Sequence, residues 1–391
     1  MIHLLENLAD AVAQAVNGGQ VHAVKQVAAE LESIKTLPAW LPETDFRFYL
    51  GLAQFYSINE DAAEATLSSI SSDSLGAAEA HWILIRILSS HLTEENAKIL
   101  RLQMFEHEQQ IADLCPYSLM VQHVADVQTD QREAALGSSE YGQLLVLPTI
   151  DYGQFYGWQP LFMVGDLYYE QHLFEDAANA YYWSIQVDDP NEWLQNGVAD
   201  IWVRIADCYE QKGERTLAAR YLAKSFALPL TASQISAISA RLKTLLNRPV
   251  QKQSSPVLKP DAQKLQQIGD MLFEMEMFDE AVRAYRQAEQ QGADMRLLIA
   301  SSWEGKAQFL FDYRSQRTEN AVLFGMLLTW ETVAQAYQKA KQSYKDIQPQ
   351  NGESLLGIQR CNDALAHLNQ RQQAVNYKKR YNNRGLLMVN E

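Results

Sequence analysis

An all-α protein built of stacked helical hairpins is the fold class this sequence predicts, and three observations predict it. Among 391 residues there are 18 glycines and 11 prolines, few for this length, while helix-favouring Ala, Gln, Leu and Glu abound. Apolar residues recur every three or four positions almost throughout, and strand-like alternation is scarce. One order of side-chain sizes returns at fixed spacing in three separate stretches. With 47% hydrophobic and 21% charged residues, the chain has ample material for a core. Its length suits two or three domains or one extended repeat array.

Taken in order, residues 3–16 and 21–35 read as a hairpin turned at Asn17-Gly18-Gly19. Residues 45–57 and 60–70 make a second, with Asn59 a suitable N-cap. Helices over about 76–90 and 93–112 follow, the latter opening on Thr93-Glu94-Glu95, and Cys115-Pro116 breaks the pattern before 117–128 resume it. Residues 129–160 mix Gly, Ser and aromatics, and read as a connector packed down by Tyr152, Phe155, Tyr156 and Trp158. Helical patterns return from Leu161 to about 246, and the Pro- and Ser-rich 247–260 reads as a linker or hinge. The expected divisions are thus 1–128, 129–246, the linker 247–260, and a C-terminal helical block over 261–391.

The recurring size order starts at Leu161, Trp202 and Leu265. Each stretch has a small residue (Gly165, Ala206, Gly269) and a large one three positions on (Tyr168, Tyr209, Leu272). Nine further comes alanine (Ala177, Ala218, Ala281), then Tyr181, Leu222 or Tyr285, then Ser184, Ser225 or Ala288. Small residues let two helices approach, and large ones fill the groove left by the next pair. Weaker matches run Leu50-Gly51…Ala63…Leu67…Ile70 and Ile358…Ala374…Tyr377…Tyr381. The order resembles the tetratricopeptide repeat (TPR), a helix–turn–helix unit often closed by proline, and Pro190 and Pro229 stand near that place. The resemblance implies an α-α superhelix, a solenoid of TPR-like hairpins with irregular flanking helices. The chain departs from the usual period. The first two units are offset by 41 residues (165 to 206), placing an insertion at "NEWLQNG", and the 63 from 206 to 269 leave room for a degenerate helix pair around 231–246. Residues 295–345 read as long helices without the motif.

A net charge of −15 argues against a protein whose main task is gripping a phosphate backbone. From Lys339 onward nine basic residues face four acidic ones, so the last segment is near +5 and the rest near −20. "NYKKRYNNR" (376–384) interleaves basic and aromatic residues, which keeps nucleic acid as an unlikely but open partner for that segment. Cys115, Cys208 and Cys361 lie too far apart for a metal or CxxC pattern, and buried free thiols in a reducing compartment are expected. The N-terminus has no basic n-region, and no apolar stretch is long enough to span a bilayer. A cytoplasmic location is expected.

No phosphate-binding glycine loop, nucleophile elbow or HExxH stands in the sequence. No enzyme, cofactor or metal site is expected. In "FEHEQQ" (105–110), adjacent helical side chains point apart, so His107 and its flanking glutamates share no site. His81 reads as a packing residue, and Asp188-Asp189 as the turn before Pro190.

The resemblance implies that the first helix of each hairpin lines a concave face. Its groove positions here are Phe162, Asp166, Tyr169 and Glu170; then Val203, Asp207, Glu210 and Gln211; then Gln266, Asp270, Phe273 and Glu274. Six are acidic, three aromatic and none basic. That composition predicts a non-catalytic scaffold or adaptor whose groove takes a basic or amphipathic segment of another protein, aromatics anchoring and carboxylates steering. A peptide-responsive regulator hinged at 247–260, or a chaperone-like escort, is the alternative. A homo-oligomer, with the basic end lying in a second copy's groove, stays open.

Overall fold

A computed structural model describes residues 1–18, 21–126, 158–187, 189–195, 197–247, 259–315, 321–323 and 326–387. These residues are overwhelmingly helical, and helices adjacent in sequence pack against each other. The chain divides into two compact units, Met1–Leu258 and Lys259–Glu391. The blocks read as 1–128 and 129–246 both fall within the first. Most of the connector (127–157) and of the linker (248–258) lies outside the described residues.

The first unit contains α1 (Ile2–Val16), α2 (Val21–Glu32), α3 (Glu43–Tyr56), α4 (Glu60–Leu67), α5 (Ala77–Ser90), α6 (Ala97–Leu114) and α7 (Leu119–Asp126). It continues with α8 (Trp158–Glu170), α9 (Phe174–Gln186), α10 (Val198–Gln211), α11 (Arg215–Lys224) and α12 (Ala232–Asn247). The second holds α13 (Ala262–Glu274), α14 (Phe278–Gln290), α15 (Arg296–Ser315), α16 (Trp330–Lys345) and α17 (Gly352–Leu387).

Four hairpins, α3/α4, α8/α9, α10/α11 and α13/α14, share one geometry. Sixteen positions after the small residue of the first helix comes the large residue that covers it: 51 to 67, 165 to 181, 206 to 222, 269 to 285. A Cβ on Gly165 would stand 2.5 Å from Tyr181 Cδ1, and one on Gly51 or Gly269 would come within 3.0 Å of Leu67 or Tyr285. The ring or isobutyl group therefore lies directly on the helix backbone. The alanine twelve positions after the small residue (Ala63, Ala177, Ala218, Ala281) is fully buried each time.

The turn repeats as well. Seven positions after the small residue the backbone enters the left-handed region, at Ile58 (φ 60°), His172 (φ 59°), Gly213 (φ 81°) and Glu276 (φ 59°). The next amide then donates five residues back, from Asn59 to Gln54, Leu173 to Tyr168, Glu214 to Tyr209 and Met277 to Leu272, at 2.8–3.0 Å. This is a Schellman C-cap, which satisfies carbonyls that the helix end leaves open. Glycine suits that position, and a β-branched residue such as Ile58 adopts it at a cost. Only Gly213 announces the turn in sequence.

In the first unit the row of hairpins doubles back. Helix α1 packs against α12 and the 3-10 turn Ser225–Ala227. Arg220 of α11 reaches Asp45 of α3 at 2.7 Å. Lys224 of α11 meets Glu79 of α5 at 2.6 Å, both side chains 4% exposed, with its ammonium 3.9 Å over the Trp202 ring. Glu6 of α1 accepts from Ser239 and, at 3.0 Å, from Lys243. Beyond α6, Tyr117 donates its amide to Gln186 of α9 at 3.2 Å and stacks edge-on to Trp183. The aromatic run of α9 is thereby explained: Tyr181 covers its own hairpin, while Tyr182 and Trp183 face the N-terminal row.

Several expectations are corrected. The region 231–246 is one helix, not a pair. Asn59 is an N-cap by position, with no side-chain cap bond, and α6 begins at Ala97 because Asn96 takes the N-cap. Between α15 and α16 a two-stranded antiparallel ribbon intervenes, β1 (Ala321–Leu323) with β2 (Met326–Leu328), where continuous helix was expected. β-Branched and long apolar residues around Gly325 suit a hairpin as well as a helix. The weak match at 358–381 falls inside the single helix α17, so it makes no hairpin. Among the described residues no helix is long and apolar enough to cross a membrane.

Candidate functional site

Of the twelve groove positions, the nine acidic and aromatic ones fall into two sets. Phe162, Asp166, Tyr169 and Glu170 on α8, with Asp207 and Glu210 on α10, belong to the first unit. Asp270, Phe273 and Glu274 on α13 belong to the second. Each set is therefore a surface in its own unit.

The carboxylate following each small residue has a local task. Tyr181 Oη donates to Asp166 at 2.6 Å, and Tyr285 Oη to Asp270 at 2.7 Å. Burial, then the neighbouring carboxylate, pushes each phenol well above its ordinary range, so each stays a donor. The middle hairpin has Leu222 in place of the tyrosine, and there Arg241 of α12 pairs with Asp207 instead and reaches Glu210 at 3.2 Å. Exposed Arg204 stands 5.9 Å over the Phe162 ring, and Tyr169 packs edge-on to Phe174 at 5.2 Å. The first unit's face is thus of mixed charge, not purely acidic. Sequence reasoning missed Arg241 because α12 carries no repeat motif, and Arg204 because it lies one position beyond Val203.

The second unit's face is different. Phe273 packs on Phe278 (5.4 Å), Phe278 on Phe309 (6.5 Å) and Phe309 on Tyr313 (6.4 Å), a ladder crossing from α13 to α15. Exposed Glu274, Glu276 and Asp312 flank it. Burial, and next the charge of Asp312, raises the Glu276 carboxyl above its usual range. None of these three carboxylates has a cation partner among the described residues, and Asp312 accepts from Gln308 at 3.0 Å. Glu276, Phe309 and Asp312 escaped the sequence reading, since a turn residue and a helix outside the repeat carry them.

Elsewhere, His107 Nδ1 lies 3.0 Å from His81 Nδ1, while Glu108 pairs with His123 at 3.2 Å. The two adjacent residues of α6 thus serve opposite sides, as helical geometry requires. Burial lowers both members of the histidine pair, His81 to about 4. All three cysteines are buried free thiols, pushed by burial to about 12 for Cys115 and Cys208 and about 11 for Cys361. No group of three or more His, Cys, Asp or Glu among the described residues could hold a metal ion. Compared with known proteins, the chain matches no family model and no curated protein.

Proposed function

We propose that this chain is a TPR-like hairpin protein acting as a non-catalytic, cytoplasmic protein-interaction scaffold. In this reading a basic or amphipathic segment of another protein binds the acidic, aromatic face of the second unit. The observation that carries the reading is the Phe273–Phe278–Phe309–Tyr313 ladder beside Glu274, Glu276 and Asp312, carboxylates without cation partners among the described residues. Half-buried Phe273 and Phe309, backed by buried Phe278 and Tyr313, supply contact area at little entropic cost, and the carboxylates speed the encounter with a cationic segment. The four hairpins of one geometry support the TPR likeness.

Asp166, Asp207 and Asp270 are poor places to test it, because each already serves its own hairpin or the next. Reversal at exposed Glu274 and Asp312 is cleaner. A fluorescent amphipathic Lys/Leu peptide should bind the full chain with an affinity that falls with salt. Glu274→Lys with Asp312→Lys should weaken it about tenfold, the scale of losing two steering charges beside an anchor, with circular dichroism unchanged. Equal affinity of the two proteins sinks the proposal.

A further inference from the structure

The second unit also carries a cluster of opposite sign. Lys339 of α16 holds its ammonium 3.3 Å from the centre of the Trp303 ring on α15, and Lys306, one turn further along α15, stands 5.8 Å from the same ring. The charge of Arg286 on α14 also acts on Lys339, more weakly than that of Lys306. Burial, then the charges of Lys306 and Arg286, makes the Lys339 ammonium easier to deprotonate, with Asp279 partly opposing. The other exposed cations of this unit for which an ion pair is seen are matched one to one: Arg296 with Asp294 at 2.7 Å, Arg360 with Glu304 at 2.6 Å.

In the cluster Asp279 is the carboxylate seen to pair, and it pairs with Lys306 alone, at 2.5 Å. Neither Arg286 nor Lys339 has a carboxylate partner among the described residues. Trp303, 9% exposed, forms the floor beneath Lys339. A cation–π contact offsets part of the repulsion between like charges and leaves the ammonium's other donors free. The arrangement therefore favours the arrival of negative charge, and the bidentate fork of Arg286 fits a carboxylate. Asp279 borders the patch, so the basic surface is short. It suits two or three anionic groups rather than the long track that a nucleic-acid strand demands.

We propose that Lys306 and Lys339 over Trp303, with Arg286 of α14 near enough for its charge to act on Lys339, form a docking site for a short carboxylate-rich segment of a partner protein. The site does not rest on the acidic face. Trp303 and Asp312 are nine residues apart on α15, roughly 13 Å along its axis, and the two faces call for segments of opposite charge.

The test uses the full chain and a fluorescein-labelled peptide of six glutamates interrupted by one tyrosine, followed by anisotropy. Saturable binding at low salt that weakens as salt rises is expected. It should fall at least tenfold in Arg286→Gln/Lys339→Gln and more in Arg286→Glu/Lys339→Glu. It should stay within twofold in Lys25→Glu/Lys98→Glu, which changes the net charge equally on the first unit. No saturable binding, or equal loss in the Lys25/Lys98 variant, overturns the proposal. So does a single-stranded oligonucleotide that binds through the same residues more tightly than the peptide. Failure of the Lys/Leu peptide with retention of the glutamate peptide would overturn the acidic-face reading alone.

Discussion

The two units use the same hairpin and hold it in different ways. In the second, helices contact neighbours one or two places away in sequence, from α13 through α17. In the first, the ends of the row meet, and contacts join residues some 150 to 240 positions apart, such as Lys224 with Glu79 and Lys243 with Glu6. A linear array loses stability locally when one contact is removed, because each hairpin answers only to its neighbours. A doubled-back row shares its loss, because breaking one cross-row contact loosens both rows. The difference also sorts charge by purpose: the first unit spends its central cations on buried pairing, while in the second Arg286 and Lys339 have no carboxylate partner among the described residues.

The largest expected effect breaks this comparison at its strongest point. Glu79→Ala would leave the Lys224 ammonium buried with one fewer partner, a loss of about 3–5 kcal/mol. Urea unfolding should show it in the first unit's transition. Arg360→Ala removes the partly exposed pair with Glu304 in the second unit while leaving Glu304 to the Tyr344 hydroxyl, and should cost about 1 kcal/mol or less. Similar losses at the two sites would contradict the contrast drawn between the units.

A smaller effect tests what the units share. Gly165→Ala in the first and Gly269→Ala in the second both drive a methyl into a buried tyrosine ring, and Ala281→Leu overfills the same kind of seam. Each should cost roughly 1–3 kcal/mol through overpacking. An unchanged thermal midpoint in either glycine variant would show that its hairpin is not closed by the ring. Smallest, and opposite in sign, is the turn. Ile58→Gly relieves a left-handed β-branched residue that is 72% exposed, and should stabilise by about 1 kcal/mol. Calorimetry showing a lowered midpoint would mean that the Ile58 side chain contributes more than its backbone costs.

The hairpins were legible because their signal is local. A glycine, an alanine and a tyrosine at fixed spacing must meet once two helices and a short turn form, and Gly165 and Tyr181 do. The helices that carry the candidate groove residues were legible, and the partners of those residues less so. Asp166 and Asp270 lie on the first helix of their hairpins, and the hydroxyl of the tyrosine sixteen residues after the small position occupies each. Spacing alone could have suggested that bond, since the tyrosine and the aspartate are fifteen residues apart in both hairpins. Arg241 against Asp207 could not have been read that way, because its helix has no motif to set its register.

Sequence by itself determined the helical class, the four-fold hairpin and the burial of its alanines, all consequences of side-chain size at a spacing the backbone enforces. Tertiary structure alone decided that the first row folds back, that Lys224 and Glu79 bury their charges together, and that Lys306 and Lys339 gather on Trp303. Those outcomes join residues far apart in the chain, and the physical reason they stay hidden is that pairing between distant elements depends on where whole helices dock. No local pattern of sizes or charges encodes that position.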